Sequence, residues 1–232
     1  MTASAIIAAA GSASRMNGIN KQTALLCGIP VLARSMILLE KCESVAEIIV
    51  SAKREDFDLI SGYAEKYGIT KFKCCAEGGK TRQESVINAL AHISRETDLI
   101  AVHDGARPLA DPANIERCMK DASIFGGAVL GVPVKDTLKT VSGGLIVDTP
   151  DRSKLYITQT PQIFKKKPYF EGVNFAKEHE LDFTDDCQLA EAVGVKINMT
   201  KSDYKNIKIT TPEDLAIAEA ILAMEEKNRC LT

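Results

Sequence analysis

SAIIAAAGSASRMNGINKQ, residues 4–22, is the stretch from which the rest of the chain can be ordered. Its first part, Ala5 to Ala10, is a short apolar run. At Gly11 the run breaks into small and polar residues that include two cations, Arg15 and Lys21, with Gly18 between them. A buried strand ending in a glycine-bearing loop aims successive backbone N–H groups at one point, which suits a phosphate. The two cations then meet charge that amides cannot neutralise alone. Two common nucleotide signatures fail here. A Walker loop requires glycine, four residues, then Gly-Lys-Ser/Thr, and no such run occurs. The dinucleotide fingerprint requires glycines where Ala13 and Met16 stand. The stretch is expected to hold a nucleotide triphosphate by other means.

Outward from this loop, short apolar runs alternate with helical patterns. Glu47–Ala52, Phe72–Ala76, Leu99–His103 and Gly127–Pro133 read as strands. Between them, helices are expected after Pro30, over Asp56–Tyr67, over Ser85–Ile93, and over Pro112–Ile124 with Asp111 as its cap. Near-continuous apolar strands separated by helices predict an α/β fold, a mostly parallel sheet covered on both faces. After Pro133 the pattern changes. Alternation around Ser142-Gly143-Gly144 predicts a β-hairpin arm, about residues 137–158, followed by an extended Leu155–Phe164 interrupted at Pro161. Helices are expected at Pro168–Glu178 and at Asp185–Val193, the latter capped by Thr184. Lys196–Thr200 and Ile207–Thr210 read as short strands, and Thr211-Pro212-Glu213-Asp214 opens a last helix. No repeat or linker divides the chain, so residues 1–232 are expected to form one domain.

The totals narrow the function. The 232 residues are 45% hydrophobic and 26% charged, with net charge −2 and a pI near 6.0. No global field favours nucleic acid or a membrane surface. A small phosphorylated ligand needs only a few cations at one spot. The seven cysteines form no CxxC pair and only three histidines are present, which argues against a zinc site. Cys42, Cys74 and Cys118 sit in apolar patterns and are expected to be packed thiols. The N-terminal apolar run lacks a basic flank and is too short for a signal peptide or a membrane span, so the chain is expected in the cytoplasm.

The loop wording A-A-G-x-x-x-R-M followed by lysine resembles the nucleotidyltransferases that make CDP-, UDP- or GDP-activated compounds. Later segments sharpen that likeness: EGGKTRQESV (77–86), VHDGARP (102–108), PVKDTLK (133–139), TPDRSKLYITQTPQIF (149–164), FTDDCQLAE (183–191) and NIKITTPEDL (206–215). In this order they resemble the 2-C-methyl-D-erythritol 4-phosphate cytidylyltransferases of the non-mevalonate isoprenoid pathway, from about Ile6 to Ala218. Several pieces are shared with ribitol-5-phosphate cytidylyltransferases; the TPDR and TDD-x-x-LAE wording favours the former.

The resemblance implies a Rossmann-like nucleotidyltransferase fold and a set of roles. Ala9, Ala10, Gly11, Ser12 and Ala13 would wrap the CTP triphosphate, with Arg15 and Lys21 stabilising charge in the transition state. Gly79, Lys80 and Ser85 match the segment against cytosine and ribose. Asp104 belongs at the ribose and metal side, and Arg107 beside it. Asp104, Arg107, Thr137, Arg152, Thr184 and Lys208 match positions that hold the methylerythritol phosphate. Arg152 and Lys208 are the strongest of these, because a dianion needs paired donors and charge. The implied cofactor is Mg²⁺, with Mn²⁺ as the other candidate ion, and the implied assembly is a homodimer in which the arm brings Thr137 and Arg152 to the neighbour's site. Taken singly, Ser85 also reads as part of a turn and helix N-cap, Arg152 as a solvated arm charge and Lys208 as a strand-end surface lysine. The wording departs from the family at Ala13, where glycine is common, at Asn20, where proline precedes the lysine, and at Gly105, where alanine is common. The first two departures keep open a catalytically idle nucleotide-binding homologue beside the two enzymatic readings.

Overall fold

The computed structural model describes residues 1–11 and 22–229. Its elements follow the expected alternation. The first half contains β1 (Ala3–Ala8), a small ribbon of β2 (Leu25–Leu26) and β3 (Ile29–Pro30), α1 (Val31–Glu40), β4 (Val45–Ala52) and α2 (Phe57–Lys66). Then come β5 (Phe72–Glu77), α3 (Arg82–Leu90), β6 (Leu99–Asp104), α4 (Pro112–Phe125) and β7 (Gly126–Pro133). The second half has β8 (Thr140–Ser142), β9 (Leu145–Asp148), β10 (Tyr156–Lys165), α5 (Lys166–Glu178), α6 (Asp186–Glu191), β11 (Lys196–Lys201) and α7 (Pro212–Arg229).

Seven strands form one sheet in the order β11-β7-β10-β6-β1-β4-β5. Neighbours are parallel except β10, which runs antiparallel to both β6 and β7. Side chains alternate across the sheet: Ala3, Ala5 and Ile7 of β1 pack with α1, α2 and α4, while Ile6 packs with α3, α5 and α6. Both faces are buried, which is why these strands read as unbroken apolar runs. Each fully buried Ile or Leu contributes about 1.5–3 kcal/mol relative to exposure. A third cluster joins α7 to the β2–β3 ribbon through Leu26, Val31, Ile209 and Ala218. None of the described helices is long and apolar enough to cross a membrane.

Four expectations are corrected. β1 ends at Ala8, so Ala9 to Gly11 already belong to the loop. Helix α3 starts at Arg82 because Thr81 caps it, accepting the Glu84 N–H at 3.1 Å, while the Glu84 carboxylate takes the Lys80 N–H at 2.6 Å. The cap of α6 is Asp185, which accepts from Gln188 N; the Thr184 N–H and hydroxyl both donate to Gln188 Oε1 instead. Ile207–Thr210 is not a strand. That segment is fastened by Ile209 N–H to the Ala106 carbonyl and by Arg107 to the Asn206 carbonyl, and it lies outside every sheet.

The arm forms as expected. β8 and β9 pair as a separate two-stranded sheet joined by Gly143 (φ 57°) and Gly144 (φ 82°). Two consecutive positive φ values match the hairpin turn whose twist suits its strands, and glycine adopts them without Cβ strain. Tyr156–Thr158 already pair with β7, so the free arm ends just before them. Pro161 is accommodated by a register shift in β10 between Thr158 and Gln162.

Candidate active site

Because β1, β5 and β6 are parallel, their carboxyl ends meet on one edge of the sheet, where open α/β sheets place ligands. A cleft of about 410 Å³ opens there. Ala8, Ala10 and Gly11 border it at the end of β1, Gly79 to Arg82 and Ser85 beyond β5, and Asp104 and Ala106 at the end of β6, with Gln22 and Lys208 closing the ring.

The loops after β1 and β5 pack closely, with the Ala10 methyl against the Gly78 backbone. A Cβ on Gly78 would come within 2.2 Å of Ala10 Cβ, so glycine is required for this approach. Ser85 fastens the second loop: its hydroxyl accepts the Gly79 N–H at 3.0 Å and donates to the Thr81 carbonyl at 2.8 Å. Ser85 is therefore engaged in shaping the loop, one turn inside α3.

Asp104 forms the floor. Lys208 Nζ stands 2.8 Å from Asp104 Oδ2, Arg107 Nε 3.6 Å from the same oxygen, and Arg82 Nε 3.5 Å from Oδ1. Burial alone would raise the Asp104 pKa, but Lys208, then Arg82 and Arg107, hold it far below the usual carboxylate range. Arg82 also donates to Asp186 Oδ2 at 2.6 Å. Burial would lower its pKa, but Asp186 and Asp104 raise it, so it stays charged.

Neighbouring His103 is fully buried and structural. The Asp104 N–H donates to Thr160 Oγ1 at 3.0 Å, which leaves the Thr160 hydroxyl proton for His103 Nδ1 at 3.1 Å. His103 Nε2 then carries the ring proton and donates to the Arg107 carbonyl at 3.1 Å. Burial pushes its pKa down to about 4, so the ring is neutral at physiological pH.

The expected site residues are distributed as follows. Ala10, Gly11, Gly79, Lys80, Ser85, Asp104 and Lys208 all border the cleft, and Arg107 reaches it through Asp104. The Ala9 side chain packs into the core instead. Thr184 borders a separate recess of about 230 Å³ against Val129, Thr158 and Met199. Thr137 and Arg152 are exposed on the arm, where Arg152 donates to the Lys135 carbonyl at 2.5 Å. Ser12, Ala13, Arg15 and Lys21 lie outside the described residues. Arg82 and Asp186 escaped sequence reasoning, although both stand in quoted motifs.

No group of three or more His, Cys, Asp or Glu side chains among the described residues is placed to hold a metal. Asp104 is the one carboxylate bordering the cleft among them, and cations already flank both its oxygens. That donor set fits Mg²⁺ held chiefly by ligand phosphates and waters, with at most one protein carboxylate.

Comparison with known proteins gives a consistent result. The family model described as 2-C-methyl-D-erythritol 4-phosphate cytidylyltransferase matches residues 3–224. A protein of that name from Caldanaerobacter subterraneus is 40% identical over 225 residues, covering 96% of this chain and 99% of its own length. Another, from Clostridioides difficile, is 40% identical over 227 residues, with 97% and 95% covered. Among solved structures, the 4-diphosphocytidyl-2C-methyl-D-erythritol synthase of Anaerococcus prevotii superposes with a TM-score of 0.85 at 30% identity, covering 96% of each chain. The 2-C-methyl-D-erythritol 4-phosphate cytidylyltransferase of Thermus thermophilus gives 0.78 at 30% identity, covering 95% of this chain and 98% of the other.

Proposed function

This chain belongs to the 2-C-methyl-D-erythritol 4-phosphate cytidylyltransferase family, and we propose on that premise that it joins CTP and 2-C-methyl-D-erythritol 4-phosphate. The products are 4-diphosphocytidyl-2-C-methyl-D-erythritol and diphosphate. A monoester phosphate oxygen attacks the α-phosphorus of CTP in line. A P–O bond forms there as the bridge to the β-phosphate breaks and diphosphate leaves with the electron pair. No general base is needed, because the monoester's second pKa of about 6 leaves it largely ionised. The difficulty is electrostatic: two anions meet and charge develops on the leaving group.

The observation that carries the reading is the cluster on the cleft floor, where Lys208, Arg107 and Arg82 surround Asp104 at the carboxyl end of β6. It supplies cations without a nucleophile or a titrating histidine, as phosphate-on-phosphate attack requires. The loops after β1 and β5 would take the nucleotide, with Arg15 and Lys21 assigned to the α-phosphate. Lys208 is assigned to the polyol phosphate. Asp104, with cations at both oxygens, would meet Mg²⁺ through water; held chiefly by the triphosphate, the ion would offset phosphate charge.

The reading includes a homodimer. Thr137 and Arg152 stand on the arm, and Leu145, Ile146 and Val147 there are 74%, 63% and 59% exposed, which supports an arm that docks on a second copy. It also includes one nucleotidyltransferase domain over residues 1–232 and a cytoplasmic location. Unpaired thiols at all described cysteines support the latter. Diphosphate release by the purified protein tests the reaction. Signal is expected only with CTP, the methylerythritol phosphate and Mg²⁺ all present. CTP binding by calorimetry with no release would instead favour an idle homologue.

A further inference from the structure

The Asp104 carboxylate is gripped from two sides. Lys208 and Arg107 approach Oδ2, while Arg82 faces Oδ1 at 3.5 Å. Arg82 is itself held in place. Its second nitrogen donates to Asp186 Oδ2 at 2.6 Å, and Asp186 Oδ1 accepts the Tyr169 hydroxyl at 2.6 Å. The Asp186 N–H donates to Gln162 Oε1 at 2.9 Å. Asp186 is 1% exposed and Tyr169 fully buried against Phe164, with ring centroids 5.1 Å apart. Three helices, α3, α5 and α6, thus fix one guanidinium. The position is costly for a cation, because Arg82 opens α3 at the positive end of the helix dipole.

We infer that Arg82 is a positioning residue that holds Asp104 from the side opposite Lys208 and so releases the Lys208 ammonium to the substrate's monoester phosphate. The inference rests on the reading above, in which Lys208 receives that phosphate. The phosphate and Asp104 compete for one ammonium. If Lys208 were the sole partner, its transfer would strand a buried carboxylate, a large penalty. With Arg82 and Arg107 still in place, Asp104 stays neutralised. Arg82, Arg107 and Lys208 face Asp104 and Asp186, so one positive charge is in excess, and the incoming phosphate meets it.

The test is steady-state kinetics on the full chain, varying CTP and the methylerythritol phosphate separately, with a thermal midpoint for each variant. Arg82→Gln is expected to raise KM for the polyol phosphate about tenfold while KM for CTP stays within about threefold. Arg82→Lys keeps a charge but cannot span both carboxylates, so it is expected between Arg82→Gln and wild type. If Arg82→Gln does not fold, the KM split in Arg82→Lys decides. An unmoved polyol-phosphate KM, or both KM values rising together as a collapsed cleft would give, overturns the inference. A wild-type protein that turns over neither substrate removes the functional reading and the inference with it; an active wild type with unmoved variants removes the inference alone.

Discussion

At the residue scale, His103 shows how the site is built from groups that do no chemistry. Its ring links Thr160 to the Arg107 carbonyl and so aligns Asp104 and Arg107 on either side of the chain's turn. Its pKa, pushed down to about 4 by burial, lies below the ordinary unfolded value near 6.5. The neutral ring therefore contributes stability that is complete above about pH 6.5 and is lost as pH falls toward 4. The full effect is on the order of 3 kcal/mol. His103→Gln is expected to flatten the rise in urea midpoint between pH 4 and 6.5; an unchanged pH slope would contradict the assignment. Asp104 was legible in the sequence because it ends an apolar run. Its partner Arg82 was not, since Arg82 and its anchor Asp186 are 104 positions apart. One signal was present: Thr81-x-x-Glu84 marks a helix start, which places Arg82 where the dipole disfavours a cation.

At the element scale, strands were the easier part to read. Near-continuous apolar runs such as Leu99–Asp104 can satisfy both faces only in a covered sheet, and β6 is buried along its whole length. Ends were harder, because caps are decided by single side chains: Asp185 took α6 from Thr184, and Thr81 started α3 ahead of Ser85. Ile207–Thr210 has strand composition, but its backbone is held by a loop carbonyl and side chains, a tertiary choice that composition does not encode. The arm was legible from its Gly-Gly turn, whereas in the sequence its docking on a second copy is implied by the family resemblance alone. Ile146→Asp places a charge in the middle of its exposed apolar strand. Sedimentation should then show the 25.1 kDa chain alone in place of a particle of twice that mass, with turnover lost. A stable dimer, or a fully active monomer, would contradict the role given to the arm.

At the scale of the whole molecule, parallel strands gather three loops and the Lys208 segment on one edge of the sheet, and the arm leaves from that same edge after β7. Thr137 and Arg152 are exposed and do not line the Asp104 cleft of their own chain; the proposed homodimer would bring them to the neighbour's. The most direct measurement offers purified protein CTP and Mg²⁺ with either 2-C-methyl-D-erythritol 4-phosphate or ribitol 5-phosphate, and compares kcat/KM from diphosphate release. A preference for the methylerythritol phosphate of at least about a hundredfold, roughly 3 kcal/mol in transition-state stabilisation, is predicted. Equal use of both polyols, or preference for ribitol 5-phosphate, would contradict it.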